Sequence, residues 1–389
     1  MNELAHAALE RISGRPGRGT NLILTNAMIV GEDDVFLGTV HVEDGLIIGV
    51  EPSVSRSDNA VDLNGDFLLP GLIDVHTDNL EKHTVPRPGV VWNAIEAVVN
   101  YDRGLIASGI TTVFDSICAG NVHTDYRRAL LEHMLGGIRT AEANGALAVD
   151  HFLHLRCDLE DGDLIGLVTP HLEGDRLRFI SFLDESVERD PQRFRSMMLR
   201  RGRKEDEVEA LVIKGSSLEV VGHNREWLAR ECKARKIPFS SHDDTTRAHI
   251  AEAVALGMTL SEFPITEEAM EAAREEGMLV IAGAPNVVNG RSHAGYISMR
   301  ERCLSGHVQI LCSDYVPSSL LSAAFILHKQ VGLPLATAVS LVTSRPATVF
   351  GFDDRGRIAS GLRADLIRVG LVANSPLVKA VWRAGVRKF

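Results

Sequence analysis

The amino-acid sequence predicts an α/β fold: a (β/α)8 TIM barrel with a small β-sandwich domain formed by the N- and C-terminal segments. Three observations predict it. Apolar, strand-like runs alternate with helical stretches through the middle of the chain, eight such runs occur, and both ends carry short runs separated by glycines instead. Eight βα units over about 280 residues fit this barrel, whose usual size is ~250 residues.

The two ends of the chain predict a sheet of their own. Polar and apolar residues alternate from Asn21 to Leu63, where Asp44-Gly45 marks a hairpin, and similar runs return after Phe350. We therefore expect both ends to complete one sheet. The expected division is an N-terminal extension at 1–20, a composite β-sandwich domain at 21–66 and 347–389, and a (β/α)8 barrel at 67–346.

The barrel strands are expected where the apolar runs lie. These runs are residues 68–76, 110–116, 147–157, 177–184, 237–242, 258–263, 278–285 and 308–314. Helices are expected between them, for example at Tyr126–Asn144 and Arg247–Gly257, each ended by a glycine.

Composition excludes several functional classes. The chain has 389 residues, 45% of them hydrophobic, and a formal net charge of -11, which argues against a general nucleic-acid binder. The basic run Arg195–Lys204 is followed at once by acidic residues, so we interpret it as a solvated helix face. Apolar runs are far shorter than the ~20 residues of a membrane span. Five scattered cysteines without a CxxC pair indicate reduced thiols, and we expect a cytoplasmic protein.

Polar side chains close several of the apolar runs, at the strand ends where such barrels carry their chemistry. His76 and Asp78 alternate and point to the same side of a strand. The later candidates are Asp158, His242, Glu262 and Asp314. One such residue alone is more often a hydrogen-bonded structural group or a helix cap. Together they predict a site for one or two divalent ions, zinc first, with manganese, iron or magnesium as alternatives.

The sequence resembles the amidohydrolase superfamily. The resemblance depends on four motifs: P-G-L-I-D-V-H-T-D, G-I-T-T-V, S-D near the end of the barrel, and G-L-R-A-D-L-I. The commonest first-strand motif there is His-x-His, whereas His76-Thr77-Asp78 looks like the PhnM branch of phosphonate-degradation hydrolases. The blocks H-T-D-N-L-E-K-H (76–83), S-H-D-D (241–244) and G-A-P-N-V-V-N-G-R-S-H-A-G (283–295) resemble this branch closely.

The resemblance implies hydrolysis of α-D-ribose 1-methylphosphonate 5-triphosphate to the 5-phosphate and pyrophosphate, by attack of a metal-held hydroxide at phosphorus. It implies metal-site roles for His76, Asp78, His242 and Asp314, and Glu262 stands where many members have a second histidine. Asp314 would also shuttle the proton of the attacking water. The expected partners are a small phosphorylated substrate, a second copy in a homodimer, and a functional link to other phosphonate-degradation enzymes.

Three parts of the chain depart from this branch. Asp158 stands where the branch tends to have the longer glutamate, and Glu160 is a possible substitute. Glu185 stands where a histidine is expected after the fourth strand. The stretch 188–221 matches poorly.

A triphosphate requires cations near the strand ends of this acidic protein. The substrate-binding candidates are Lys82, Arg87, Arg156, Arg247 and Arg291. For any one of them a surface salt bridge is about as plausible, and the group favours phosphate binding. His293, in a glycine-flanked loop, is the second catalytic candidate, as a donor to phosphate or to the leaving group.

Two alternatives stay open. A cyclic-amide or N-acyl hydrolase would use the same fold and metals, because a fold does not fix the substrate. A catalytically inactive barrel could serve as a binding component, for which the change at Glu185 gives some support.

Overall fold

A computed structural model describes residues 21–123, 127–290 and 298–389. Its strands are β1 (Asn21–Val30), β2 (Val35–Glu43), β3 (Leu46–Glu51), β4 (Ala60–Asp62), β5 (Phe67–Pro70), β6 (Leu72–Thr77), β7 (Ile110–Ala119), β8 (Asp150–Asp158), β9 (Leu177–Leu183), β10 (Phe239–His242), β11 (Leu260–Glu262), β12 (Leu279–Gly283), β13 (Ile310–Cys312), β14 (Leu366–Val372), β15 (Ser375–Arg383) and β16 (Val386–Arg387).

The helices are α1 (Asn79–Thr84), α2 (Ala94–Ala107), α3 (Arg127–Ala143), α4 (Leu164–Val168), α5 (Pro191–Arg200), α6 (Glu205–Lys214), α7 (Leu218–Arg235), α8 (Arg247–Ala255), α9 (Glu267–Glu275), α10 (Ala284–Asn289), α11 (Met299–Leu304), α12 (Ser319–Ile326), α13 (Leu335–Ser340) and α14 (Ser344–Val349). Thr169–His171 is a short 3-10 turn, and Leu327–Val331 is a π-helical turn. In the described part of the chain, no helix is both long and apolar enough to cross a bilayer.

Both ends of the chain contribute strands to one sheet. The strand order is β16-β15-β14-β5-β1-β2-β3, with β4 beside β1. Most pairs are antiparallel, and Leu366 in β14 is the register partner of Pro70 in β5. The predicted hairpin at Asp44-Gly45 is confirmed, with positive φ angles of 48° and 83°. The core of this antiparallel sheet is a cluster of buried side chains that includes Leu24, Leu68 and Leu366.

The second sheet contains the eight strands predicted from the apolar runs. Its order, from β6 to β13, follows the chain, as in a (β/α)8 barrel. In the first run, 68–76, the prediction of a single strand was wrong. Residues up to Pro70 belong to the antiparallel sheet and Leu72–Thr77 to the parallel one. Gly71 lies between them, where a Cβ atom would stand 2.9 Å from the Cβ of Thr111, so only glycine fits without a shift.

Backbone contacts divide the chain into two compact units. The first unit comprises the residues up to Asp115, together with His133–Phe152 and Leu279–Phe389. The second comprises Ser116–Glu132 and Leu153–Met278. The whole antiparallel sheet lies in the first unit, as do β6 and β13. The domain division expected from the sequence stays a proposal.

Strand pairing within each unit positions the polar side chains described below. In the first unit the amide of Asp78 donates to the carbonyl of Asp314 at 2.8 Å, and the amide of Asp314 donates to the carbonyl of His76 at 3.0 Å. The ends of the first and last barrel strands are therefore held side by side. In the second unit His242 and Glu262 are register partners on neighbouring parallel strands.

Candidate metal centre

One group in the first unit could hold a metal ion. His76, Asp78 and Asp314 each offer one ligand atom, and these atoms lie within 4.8 Å of one another. The His76 side chain is 1% exposed, and its Nε2 lies 3.5 Å from an Asp78 carboxylate oxygen. An imidazole nitrogen and two carboxylate oxygens form a mixed donor set with net negative charge, which suits a divalent cation such as zinc. The residues present therefore fit a divalent metal.

Asp74 stabilises the backbone next to this group. It is fully buried in β6, and its carboxylate accepts the backbone N–H of Ser313 at 2.9 Å. Burial raises the pKa of Asp74 to about 6, against the lowering effect of its hydrogen bonds with Ser313. Because Ser313 precedes Asp314, this contact fixes the backbone from which the Asp314 carboxylate projects.

Lys82 lies close to the same strand end. Its ammonium group donates to the carbonyl of Tyr315 at 3.0 Å and lies 5.2 Å from the centre of the Tyr315 ring. Lys82 is therefore held against Tyr315, the residue that directly follows Asp314. Arg87 is exposed in the turn that pairs it with Val90.

In the second unit, His242 and Glu262 form a hydrogen-bonded pair. His242 Nδ1 lies 2.7 Å from a carboxylate oxygen of Glu262, which is fully buried. The same carboxylate accepts the hydroxyl of Ser181 at 2.6 Å. A histidine that donates its Nδ1–H to a carboxylate presents Nε2 as an electron-pair donor, which is how protein ligands to metals are commonly oriented. Glu262 therefore supports a ligand role for His242.

His154 is a polar residue that the sequence analysis missed. It is fully buried in β8, with Nδ1 3.0 Å from the Ser116 hydroxyl and Nε2 hydrogen-bonded to Ser181. Ser181 connects it to Glu262. The signal was present, because His154, Arg156 and Asp158 alternate along one strand and so share a face.

Asp158 is buried among other carboxylates. Its two oxygens accept the backbone N–H groups of Val122 at 2.9 Å and Glu160 at 3.0 Å. Burial, reinforced by the nearby charges of Glu185 and Glu160, raises the pKa of Asp158 to about 7, although both backbone hydrogen bonds oppose it. Glu160, the suggested substitute, lies 3.2 Å from His123 instead.

Glu185 is held by an arginine. Arg201 Nη1 and Nη2 donate to its two oxygens at 2.8 and 2.9 Å. Burial opposes ionisation, but Arg201, with smaller effects of Arg156 and His123, keeps the pKa of Glu185 below its usual value. Glu185, which stands where a histidine was expected, is therefore an ionised carboxylate whose counter-ion is Arg201.

The remaining predicted cations lie in different surroundings. Arg156, between His154 and Asp158 in β8, is close enough to lower the pKa of Asp243 as well as that of Glu185. Arg247 is 56% exposed and pairs with Glu275. This is the surface salt bridge that the sequence analysis gave as the alternative to phosphate binding. Arg291 and His293 lie outside the described residues.

Two proteins with a named activity are similar in sequence to this chain along most of its length. It is 38% identical over 383 residues, 95% of this chain and 100% of the other, to the alpha-D-ribose 1-methylphosphonate 5-triphosphate diphosphatase of Escherichia coli (strain K12). It is 25% identical over 366 residues to an adenine deaminase of Desulfatibacillum aliphaticivorans, covering 90% of this chain and 55% of that protein.

Solved structures resemble it in fold. A 5-methylcytosine deaminase from Klebsiella pneumoniae matches with a TM-score of 0.64 at 13% identity, covering 95% of this chain and 97% of that one. An N-acetylglucosamine-6-phosphate deacetylase from Pasteurella multocida matches with a TM-score of 0.60 at 12% identity, covering 95% and 100%. The sequence profile of the amidohydrolase family matches residues 67–388. The chain belongs to the amidohydrolase family.

Proposed function

We propose that the chain is a metal-dependent diphosphatase acting on α-D-ribose 1-methylphosphonate 5-triphosphate, which it cleaves to the 5-phosphate and pyrophosphate. The observation that carries this proposal is the 38% identity to the E. coli diphosphatase, which spans 95% of this chain and all of that one. The substrate is accordingly a small phosphorylated molecule, and the reaction is hydrolysis of a phosphoric anhydride.

We propose one or two divalent ions, zinc first, held by His76, Asp78, Asp158, His242, Glu262 and Asp314. The convergence of His76, Asp78 and Asp314 supports this assignment in the first unit. The hydrogen bond between His242 Nδ1 and Glu262 supports the role of His242 in the second. When bound, such an ion lowers the pKa of a water molecule and polarises a phosphoryl oxygen.

The protein's own groups would then move the proton and balance the charge. The Asp314 carboxylate takes a proton from the attacking water and returns it to the leaving pyrophosphate oxygen. Lys82, Arg87 and Arg156 offset negative charge on the substrate, with Arg291 and His293 proposed for the same task. Arg247, already paired with Glu275, is the cation on which the proposal depends least.

The cellular setting is also a proposal. All five cysteines are free thiols buried in the protein, which supports a reducing cytoplasm. We propose a homodimer that works beside other enzymes of phosphonate degradation.

The test is metal analysis of the purified protein combined with an assay of pyrophosphate release. Asp314→Asn should lower kcat about 10²–10⁴-fold, the usual range for a positioned general acid-base group. Asp33→Asn, at an exposed loop carboxylate, is the matched control and should leave kcat unchanged. Removal of the metal with a chelator should abolish turnover, and added zinc should restore it.

Each other outcome has a definite meaning. Bound metal without pyrophosphate release would reject this substrate and direct the search to carbon–nitrogen bonds, the chemistry named for the adenine deaminase relative. Neither metal nor turnover would support the inactive-barrel alternative.

A further inference from the structure

Helix α5 (Pro191–Arg200) carries arginines at both ends toward the carboxylates that follow β9 and β10. The helix begins after Asp190, whose side chain accepts the backbone N–H of Arg193 at 2.9 Å. Arg193 lies in the first turn, and Arg201 directly follows the last one. All of these residues belong to the second compact unit.

Each arginine contacts one acidic residue. Arg201 holds Glu185 through both terminal nitrogens, at 2.8 and 2.9 Å. Arg193 donates to the backbone carbonyl of Asp243 at 3.1 Å and also contacts its carboxylate. Asp243 follows His242, one of the proposed metal ligands.

Both arginines have donors to spare. A guanidinium group has five N–H donors, and only the two terminal nitrogens of Arg193 and of Arg201 are used in the contacts above. The side chains of Arg193 and Arg201 are 21% and 26% exposed, so solvent reaches them. Arg189 differs, because it is 12% exposed and contacts three carboxylates, those of Asp184, Asp244 and Glu252.

A third guanidinium group reinforces the charge. Arg156 lies near enough to Glu185 to stabilise its ionised form beside Arg201. A cavity along α5 is lined by Arg189, Arg193 and Met197 and by the carboxylates of Asp184, Glu185 and Asp190. This part of the molecule therefore combines three guanidinium groups with unused donors on Arg193 and Arg201 that solvent reaches.

We propose that Arg193 and Arg201 bind the phosphate chain of the substrate. Their guanidinium N–H groups match phosphate oxygens, and the anion takes the donors that the contacts with Glu185 and Asp243 leave unused. The identity of the anion as a triphosphate rests on the proposed function. The existence of the anion site does not, because it follows from the two guanidinium groups.

The test measures binding of inorganic tripolyphosphate to the full-length protein by calorimetry. Arg193→Gln and Arg201→Gln should each raise Kd about tenfold or more, since each removes charge-assisted hydrogen bonds. Arg201→Lys should fall between, because an ammonium group cannot make the forked contact. Arg195→Gln is the matched control from the same helix, where Arg195 pairs with the exposed Glu209, and its Kd should stay within about twofold.

A double variant separates binding from mere charge balance. If Arg201 only neutralised Glu185, Glu185→Gln combined with Arg201→Gln would restore the wild-type Kd, and that result would overturn the proposal. Unchanged Kd in both single variants would overturn it as well. Should a glutamine variant fail to fold in a thermal melt, the lysine variants at both positions give the same comparison.

Failure of this inference differs from failure of the proposed function. Arginine-dependent binding of tripolyphosphate without pyrophosphate release would keep the anion site and reject the substrate. Normal pyrophosphate release with an unchanged KM in Arg193→Gln and Arg201→Gln would keep the substrate and reject the anion site.

Discussion

His151 lies between two buried carboxylates in the first unit. Its Nδ1 is 3.0 Å from Asp115 and its Nε2 is 3.3 Å from Asp102, with neither ring nor carboxylates appreciably exposed. Burial alone would lower the pKa of His151, but Asp115 and Asp102 together raise it to about 9. The imidazolium therefore joins α2, which carries Asp102, to β7, which carries Asp115.

This arrangement predicts a pH-dependent stability. The pKa of His151 is higher in the folded state than its ordinary value of about 6.5, so the stabilisation is complete below pH ~6.5 and is lost as the pH rises through about 9. The loss should reach about 3 kcal/mol in the free energy of unfolding. Urea denaturation from pH 6 to 10 measures it, and His151→Gln should reduce the loss of stability over this range by about that amount.

An exposed histidine supplies the control. His223 lies on the surface of α7, and His223→Gln should keep the wild-type pH profile of stability. A His151→Gln profile that parallels the wild type would show that His151 is not charged in the folded protein.

Some site residues were predictable from the sequence and others were not. His76 and Asp78 stand out because a strand places alternate residues on one face, and Asp314 because it closes an apolar run. The pairing of Arg201 with Glu185 was not predictable, since the path of the intervening α5 decides which residues meet. The basic run from Arg195 was interpreted as a solvated face, and that holds for Arg195 itself, which pairs with exposed Glu209.

Among the elements, the junction of β5 and β6 combines two sheets in one apolar run. The run L-L-P-G-L-I is continuously hydrophobic, so periodicity cannot divide it. The division depends on distant partners, because β5 pairs with β14 and β6 pairs with β7. The strands were therefore predictable from local pattern, whereas their sheet membership was not.

Gly71 at this junction predicts a measurable packing limit. Gly71→Ala should lower the free energy of unfolding by about 1–3 kcal/mol, because the new methyl group would overlap Thr111. Thr111→Ala in the same chain should recover part of the loss. Chemical denaturation measures both variants.

A second glycine provides the contrast. Gly104 is exposed within α2, and a Cβ atom there would meet no other atom within 4 Å. Gly104→Ala should stabilise the protein by roughly 0.5–1 kcal/mol through reduced backbone entropy. Equal destabilisation at both positions would contradict the packing explanation.

At the scale of the whole molecule, the last strands belong to the same core as the first. Leu366 and Trp382 are buried in the cluster that contains Leu24 and Leu68, and Ile367, Val369 and Val381 of the same strands are also buried. Each contributes roughly 1.5–3 kcal/mol, so their joint removal would approach the 5–15 kcal/mol that stabilises a typical domain.

Truncation tests this dependence. A chain ending at Asp365 should fail to fold cooperatively, and should appear in the insoluble fraction or bind a hydrophobic dye. A chain ending at Gly385 removes only the short β16 and the final residues, and should keep a cooperative thermal transition. A soluble, cooperatively folded product ending at Asp365 would show that β1–β5 form a stable sheet alone.

Pro70 and Leu366 are register partners although nearly 300 residues separate them. At a ribosomal rate of ~5–20 residues per second, β5 emerges from the ribosome on the order of 15–60 s before β14. During that interval the nascent chain displays a strand edge with no partner, a known site of misassembly. The long-range pairing therefore leaves one edge of β5 unpaired during synthesis, although that edge is covered in the finished fold.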